Sequence, residues 1–232
     1  MYYVLCTLYY SVMRLNKYIA SATGMSRRAA DKAIEWGRVT INGTMANTGQ
    51  QVAENDVVAL DGTTLKVQNS KQTIMLNKPV GYICSRDGQG GKTIYDLLPE
   101  NLHHLKPVGR LDKNSSGLLL LTDDGDLAHS LTHPSFRKTK IYKIALNKPL
   151  EPLHRQMIGD NGIMLDDGVS KLQLERINDT DNSNWKVLMH EGRNRQIRRT
   201  FEALGYNVVK LHRTNFGSYA LNNLKVGEHR VI

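Results

Sequence analysis

The chain has 232 residues, enough for one or two domains with a buried core, and carries 31 Lys and Arg against 22 Asp and Glu, a formal net charge of +9. With 40% hydrophobic and 23% charged residues the composition is that of a globular protein, and no apolar run reaches the ~20 residues of a membrane-crossing helix. The two cysteines, Cys6 and Cys84, form neither a disulfide framework nor a zinc-ligand spacing and fit a reducing compartment such as the cytoplasm.

The first twelve residues, MYYVLCTLYYSV, are apolar but lack the basic leader and small-residue cleavage site of a signal peptide. A coherent module begins at Met13, so residues 1–12 are expected to be an extra segment that the fold does not need. Leu15, Ile19 and Ala22 share one helical face over 15–22. Ser26 is placed to cap a second helix carrying Ala29, Ala30, Ala33 and Ile34, and Gly37 stands at its C-terminal end. Val39 and Ile41 alternate before the tight-turn pair Asn42-Gly43. Strand follows at Val57 to Leu60, then an Asp61-Gly62 turn and strand again to Val67. Residues 13–67 are thus expected to form a small α/β domain, a helix pair followed by a small sheet. Its cations cluster on and around the helices at Arg14, Lys17, Arg27, Arg28 and Arg38. A basic cluster of this kind suits a polyanionic partner, nucleic acid first. The alternative is a solvated basic face.

Residues 68–72, QNSKQ, are polar and are read as a linker. Beyond it, over 73–232, strands and helices mix. Strands are expected near Ile74 to Leu76, Gly117 to Thr122, Lys140 to Leu146, 171–177, 185–189 and Val208 to Leu211. Helices are expected at 126–131, at Leu153 to Ile158, and from Asn194 to Leu204 with Gly205 closing it. The pattern predicts an α+β domain with a largely antiparallel sheet. Several superficial motifs fail. DGQGGKT at 87–93 lacks the first glycine of a phosphate loop, and DDGD at 123–126 lacks the spacing and closing Glu of a calcium loop. The eight histidines make no convincing metal set, and there is no nucleophile elbow or dinucleotide fingerprint.

GRLDKNSSGLLLLTDDG at 109–125 is different. Alternation along an extended chain points Arg110 and Asp112 to one side, just before a buried strand. A guanidinium beside a carboxylate favours the ionised form, which serves as nucleophile or base. By spacing alone, a structural ion pair is the better reading. In EGRNRQIRRTFEALG, 191–205, Ile197, Phe201 and Leu204 share a helical face and the arginines spread over the others. Tyr142 has the pattern of a core aromatic at a strand centre.

Taken together and in order, LNKPVGYICS at 76–85, GRLDKNSSGLLLLTDDGDLAHSLTHP at 109–134, KIYKIAL at 140–146 and EGRNRQIRRTFEALGY at 191–206 resemble the ribosomal RNA pseudouridine synthases of the RsuA and RluB type. Residues 13–44 resemble the small RNA-binding module shared with a small-ribosomal-subunit protein. The resemblance covers nearly all of 13–232 and implies a pseudouridine synthase domain with a long mixed, mainly antiparallel sheet and a central cleft. It implies isomerisation of uridine in RNA without metal or organic cofactor, by a monomer acting on ribosomal RNA or a pre-ribosomal particle. By position, it makes Asp112 the nucleophile and Arg110 the residue that helps extrude the target base. It makes Tyr142 the stacking and proton-accepting aromatic, Arg198 the partner of Asp112, and Leu204 an apolar wall of the pocket. Arg193 and Arg195 of the same basic segment are expected to contact substrate. KTIYDLLP at 92–99 and residues 191–213 favour 23S over 16S rRNA. A non-catalytic RNA-binding or ribosome-assembly protein is the alternative, and a methyltransferase would need a glycine-rich loop that is absent.

Overall fold

The computed structural model describes residues 12–67, 71–88 and 90–232; the extra segment up to residue 11 and positions 68–70 of the expected linker lie outside the described residues. The chain divides between Lys71 and Gln72 into two compact units.

The first unit opens with helices α1 (Leu15–Thr23) and α2 (Arg27–Glu35). Ser26 caps α2 by accepting the Ala29 N–H at 3.1 Å, as its position at the helix start requires. Strands β1 (Val39–Ile41), β2 (Thr44–Met45), β3 (Val58–Leu60) and β4 (Thr63–Thr64) form a sheet in the order β2-β1-β3-β4. The two turns expected from Asn42-Gly43 and Asp61-Gly62 join β1 to β2 and β3 to β4, with Asn42 and Asp61 at φ of 51° and 50°. The apolar stripe of the helices, Leu15, Ile19, Ala30, Ala33 and Ile34, packs on Val39, Ile41 and Val58 of the sheet in one core.

The second unit is built on a nine-stranded sheet. Its main strands are β5 (Thr73–Lys78), β6 (Ser116–Thr122), β7 (Lys140–Leu146), β8 (Gln173–Arg176), β9 (Asn184–Met189), β10 (Val208–Phe216) and β11 (His229–Val231). The order is β8-β9-β7-β10-β6-β5-β11, and every neighbouring pair is antiparallel except β10 with β6. Helix α3 (Gly125–Thr132) follows β6, and α4 (Gln196–Glu202) precedes β10. The expected helix at Leu153 to Ile158 is a short α-turn at Pro152–Gln156 running into a π-turn at Met157–Asn161. Among the described residues no helix is long and apolar enough to cross a membrane.

Two features of the sheet position the site. One transverse row carries Lys78, Gly117, Arg213, Tyr142 and Val187 on five adjacent strands. Gly117, at φ +106°, lets β6 and β10 approach: a Cβ there would lie 2.2 Å from the Arg213 carbonyl oxygen and 2.6 Å from its nitrogen. The second feature is a pair of bulges in β10. Ile141 pairs with Asn215 but Tyr142 with Arg213, and Ala145 pairs with Lys210 but Leu146 with Val208, so Thr214 and Val209 are extra residues.

Candidate active site

The GRLD segment is a loop, not a strand, between Val108 and β6. Leu111 is buried, while Arg110 is exposed and Asp112 half-buried. The alternation read from the sequence therefore holds: Arg110 and Asp112 line a cleft of about 200 Å³ together with Tyr142, Arg195, Ile197, Leu211 and Phe216. Arg110 makes no ion pair with Asp112, nor with any other described residue. A structural pair at a strand start is not what these two residues form.

The loop is held from its main chain. Lys78, fully buried at the end of β5, donates to the carbonyls of Pro79 at 2.9 Å, Asp112 at 3.1 Å and Ser115 at 2.8 Å. Burial pushes this ammonium below the ordinary lysine range, with Cys84 and Asp112 acting weakly the other way. The Leu111 N–H donates to the Cys84 sulfur at 3.4 Å, and burial raises that thiol. The carboxylate of Asp112 is left with 36% side-chain exposure, facing the cleft.

Arg198 was expected to pair with Asp112; the charge of Asp112 acts on it, but the guanidinium within ion-pair range of that carboxylate is Arg195. Arg198 donates to the carbonyls of Val208 at 2.6 Å and Asn114 at 2.8 Å, so its guanidinium joins β10 to the loop. Burial lowers Arg198, followed by the like charge of Arg195. Arg195 is the guanidinium within ion-pair range of Asp112, at 3.9 Å. It stands at the head of α4 with φ 46°, a left-handed conformation that a non-glycine residue rarely adopts and that turns its side chain to the cleft. Asn194 does not cap the helix, which starts at Gln196.

Of two further expected pocket residues, Arg193 reaches the cleft and Leu204 does not. Arg193 lines the cleft, but its donors go to the hairpin of Ile163–Leu165 and Gly168–Ser170: to Asp167 Oδ1 at 2.8 Å, Gly168 O at 3.0 Å and Val169 O at 2.8 Å. It ties down a loop that the sequence reading did not contain. Leu204 lies beyond the end of α4 and packs on the main core; Leu111, Ile197, Leu211 and Met189 are the aliphatic walls. Beneath the head of α4, Gln196 is buried and bonds to Ser170 Oγ at 3.1 Å and to Glu191, and Ser170 bonds Thr200 at 2.7 Å. Tyr142 is buried on β7, and its hydroxyl has no partner among the described residues.

The sequence reading missed Lys78, Lys140 and Arg213 as site residues. Lys78 and Lys140 were inside quoted motifs, but a lysine before a proline and one opening a strand carry no spacing that separates them from surface lysines. Arg213 lies at the end of the 191–213 stretch with no motif of its own, yet it is 2% exposed and lines the cleft.

In the first unit, Arg14, Arg27 and Arg28 are exposed and Lys17 half-buried. Arg27 donates to Asn16 Oδ1 at 3.0 Å. Arg38 is held by Asp61 through Nε at 2.9 Å and Nη2 at 2.5 Å, which raises it and lowers Asp61. Arg38 is therefore not a free cation, because the Asp61-Gly62 turn brings a carboxylate to it.

Comparison with known proteins places these units. The RNA pseudouridylate synthase family model matches residues 72–203, and the S4 domain model matches residues 13–58. The chain is 36% identical to the ribosomal small subunit pseudouridine synthase A of Pasteurella multocida, over 94% of this chain and 95% of that protein. It is 38% identical to the ribosomal large subunit pseudouridine synthase B of Xanthomonas campestris, over 90% of this chain but 44% of that protein, so it spans less than half of that relative's length. A solved crystal structure of a pseudouridylate synthase superposes with a TM-score of 0.68 at 35% identity, covering 95% of this chain and 96% of the other. With a mainly antiparallel sheet, an Asp-bearing cleft and a match of this extent, the chain belongs to the RNA pseudouridylate synthase family, preceded by an S4 domain.

Proposed function

We propose that this chain converts a uridine of ribosomal RNA to pseudouridine, with Asp112 as nucleophile and 23S rRNA as the target. The observation that carries the reading is the convergence on one cleft of a half-exposed Asp112 carboxylate, an Arg110 with no ion pair among the described residues, and a buried Tyr142. A non-catalytic RNA-binding protein has no use for that arrangement. The reaction breaks the bond between ribose C1′ and uracil N1, turns the base, joins C1′ to C5 and releases the C5 proton. Asp112 enters at C1′, at C6 of the base, or at the proton beside C1′, and each route needs the accessible oxygen that the cleft provides.

Extruding the base from its stack costs roughly a few kcal/mol. The Arg110 side chain at the cleft is free to occupy the vacated space. Tyr142 supplies a ring against the extruded base, a contact worth about 1–3 kcal/mol. A larger groove of about 1310 Å³ joins the cleft through Thr132, Lys140, Met189, Gly192 and Arg193, and carries His133, Arg137, Lys138, Arg155 and Lys171 on its walls. Its excess of cations suits the RNA strand on either side of the target. On this reading the enzyme works as a monomer in the cytoplasm, on free rRNA or a pre-ribosomal particle.

The second reading, a 16S target, is favoured by the full-length match to the small-subunit relative from Pasteurella multocida. Tritium release from 16S and 23S transcripts labelled at uridine C5, with carbodiimide primer extension of rRNA from a deletion strain, decides between them. Release from neither transcript, with no pseudouridine missing in the deletion strain, would overturn the proposal.

A further inference from the structure

Arg213 is 2% exposed and takes part in none of the ion pairs among the described residues. Its Nε donates to the Leu118 carbonyl at 2.7 Å, and its Nη2 is buried without a partner among the described residues. The guanidinium carbon lies 4.9 Å from the ring centre of Phe216. Lys140 Nζ lies 5.6 Å from the same ring and donates to the Glu191 carbonyl at 3.2 Å. Burial lowers the Lys140 ammonium, and the charge of Arg213 lowers it further, so the two cations repel each other. The nearby carboxylates are engaged elsewhere: Asp112 with Arg195, and Glu191 with Arg193 at 3.5 Å. Both cations and Phe216 line the Asp112 cleft.

A buried guanidinium nitrogen with no acceptor is costly, and a second cation beside it adds to the cost. The transverse row and the bulge at Thr214 nonetheless hold Arg213 in place on the cleft. A neutral uracil carbonyl would satisfy one donor and leave the Arg213 charge uncompensated, with Glu191 offsetting only part of the cost to Lys140. A phosphate satisfies the donors and the charge together.

We infer that Arg213 and Lys140 form a phosphate subsite inside the cleft, which holds the phosphodiester adjoining the extruded nucleotide; the inference rests on reading the cleft as a nucleotide site. Arg213 supplies direction through its fixed plane, and Lys140 supplies charge.

Calorimetric titration of the full chain at low salt with uridine, uridine 5′-monophosphate and uridine 3′-monophosphate tests this. One of the two nucleotides is expected to bind about 10- to 100-fold more tightly than uridine, the range of a charge-assisted contact. Arg213→Gln and Lys140→Gln are each expected to remove most of that preference, so that the nucleotide binds each variant within a few-fold of uridine. Circular dichroism and thermal melts check that Arg213→Gln folds. If it does not, Lys140→Gln carries the test, because that side chain is only half-buried. Nucleotides that bind no more tightly than uridine, or show no measurable binding, would overturn the subsite. So would a preference that survives the folded variants. Equal loss of uridine and nucleotide affinity in Arg213→Gln would assign the nitrogen to the base instead. The titration reads no turnover. Absent tritium release with an intact phosphate preference would sink the proposed reaction and leave the subsite standing, and the reverse result would do the opposite.

Discussion

The Lys78 ammonium donates to the main-chain carbonyl of Asp112 at 3.1 Å, so a buried cation on one strand fixes the backbone of the residue whose carboxylate faces the cleft. Its other two bonds, to Pro79 and Ser115, tie the start and the end of this region to the same nitrogen. The side chain of Asp112 is thereby free while its backbone is not. Fixed backbone with an accessible functional oxygen is the arrangement that positioning in catalysis requires.

Replacing Lys78 with Met removes the three bonds and leaves their carbonyls without the donor. Unfolding free energy should fall by about 2–4 kcal/mol, read by urea melts. The pH dependence has a definite sign. Burial holds the folded Lys78 below the ordinary lysine value, whereas the unfolded chain keeps that proton to roughly pH 10.4. In that window the unfolded state binds more protons, so this group makes stability rise with pH. The wild type's margin over Lys78→Met should widen as pH climbs toward that value. A narrowing margin would contradict the role of burial.

Asp112→Asn keeps the side-chain shape and removes its charge. Turnover should vanish, while RNA affinity changes little or rises as one negative charge leaves a basic cleft. Tyr142→Phe should keep stacking and slow turnover by about 100- to 10,000-fold if the hydroxyl takes the final proton. Tyr142→Ala should weaken RNA capture as well. Single-turnover tritium release and filter binding measure the two effects separately. Near-normal release by Asp112→Asn removes it as nucleophile, and near-normal release by Tyr142→Phe confines that residue to stacking.

The two arginines of the α4 segment should part company. Arg198→Ala takes away the donors to Asn114 and Val208 and should cost about 1–3 kcal/mol of stability. Arg195 is exposed, so Arg195→Ala should shift stability by no more than about 0.5 kcal/mol. It should slow single turnover roughly fivefold, the scale of an exposed ion pair. Chemical denaturation beside tritium release checks both. A destabilised Arg195→Ala with normal turnover would reverse the assignment.

For the S4 domain, changing Arg27 and Arg28 to Ala should flatten the slope of log affinity against log salt by about 0.7–0.9 for each phosphate that is no longer neutralised. Arg38→Ala should change that slope less, because Asp61 already neutralises the side chain. An equal effect of Arg38 would mean that RNA displaces Asp61.

The first unit was the more legible in the sequence. Ser26, Asn42-Gly43 and Asp61-Gly62 act through neighbours within a few residues, so their caps and turns are local consequences of local chemistry. The Arg110 and Asp112 juxtaposition was also readable, because alternation survives in an extended loop. The exchange between Arg195 and Arg198 was not. Helical spacing started at Asn194 gives no warning that Arg195 adopts a left-handed φ and that the helix begins after it. Arg38 failed as a free cation for a different reason: its partner, Asp61, is 23 positions away. The end of β10 was hidden as well. Its buried residues fall at 208, 211, 213 and 216, a spacing that no period of two generates.

That spacing has a consequence for how this part of the chain tolerates change in length. Cross-strand partners share a face, so Lys140, Tyr142, Ile144 and Leu146 stand with Phe216, Arg213, Leu211 and Val208, with Thr214 and Val209 as surplus residues between them. Deleting Thr214 or Val209 would remove a bulge and leave the same partners opposite one another, with Phe216 still facing Lys140 and Arg213 still facing Tyr142. Deleting a paired residue such as His212 would instead place Leu211 opposite Lys143 and turn it to the other face. Loss of a paired residue between Val208 and Phe216 is therefore expected to be excluded among working copies of this gene, whereas loss of Thr214 or Val209 keeps the partners aligned.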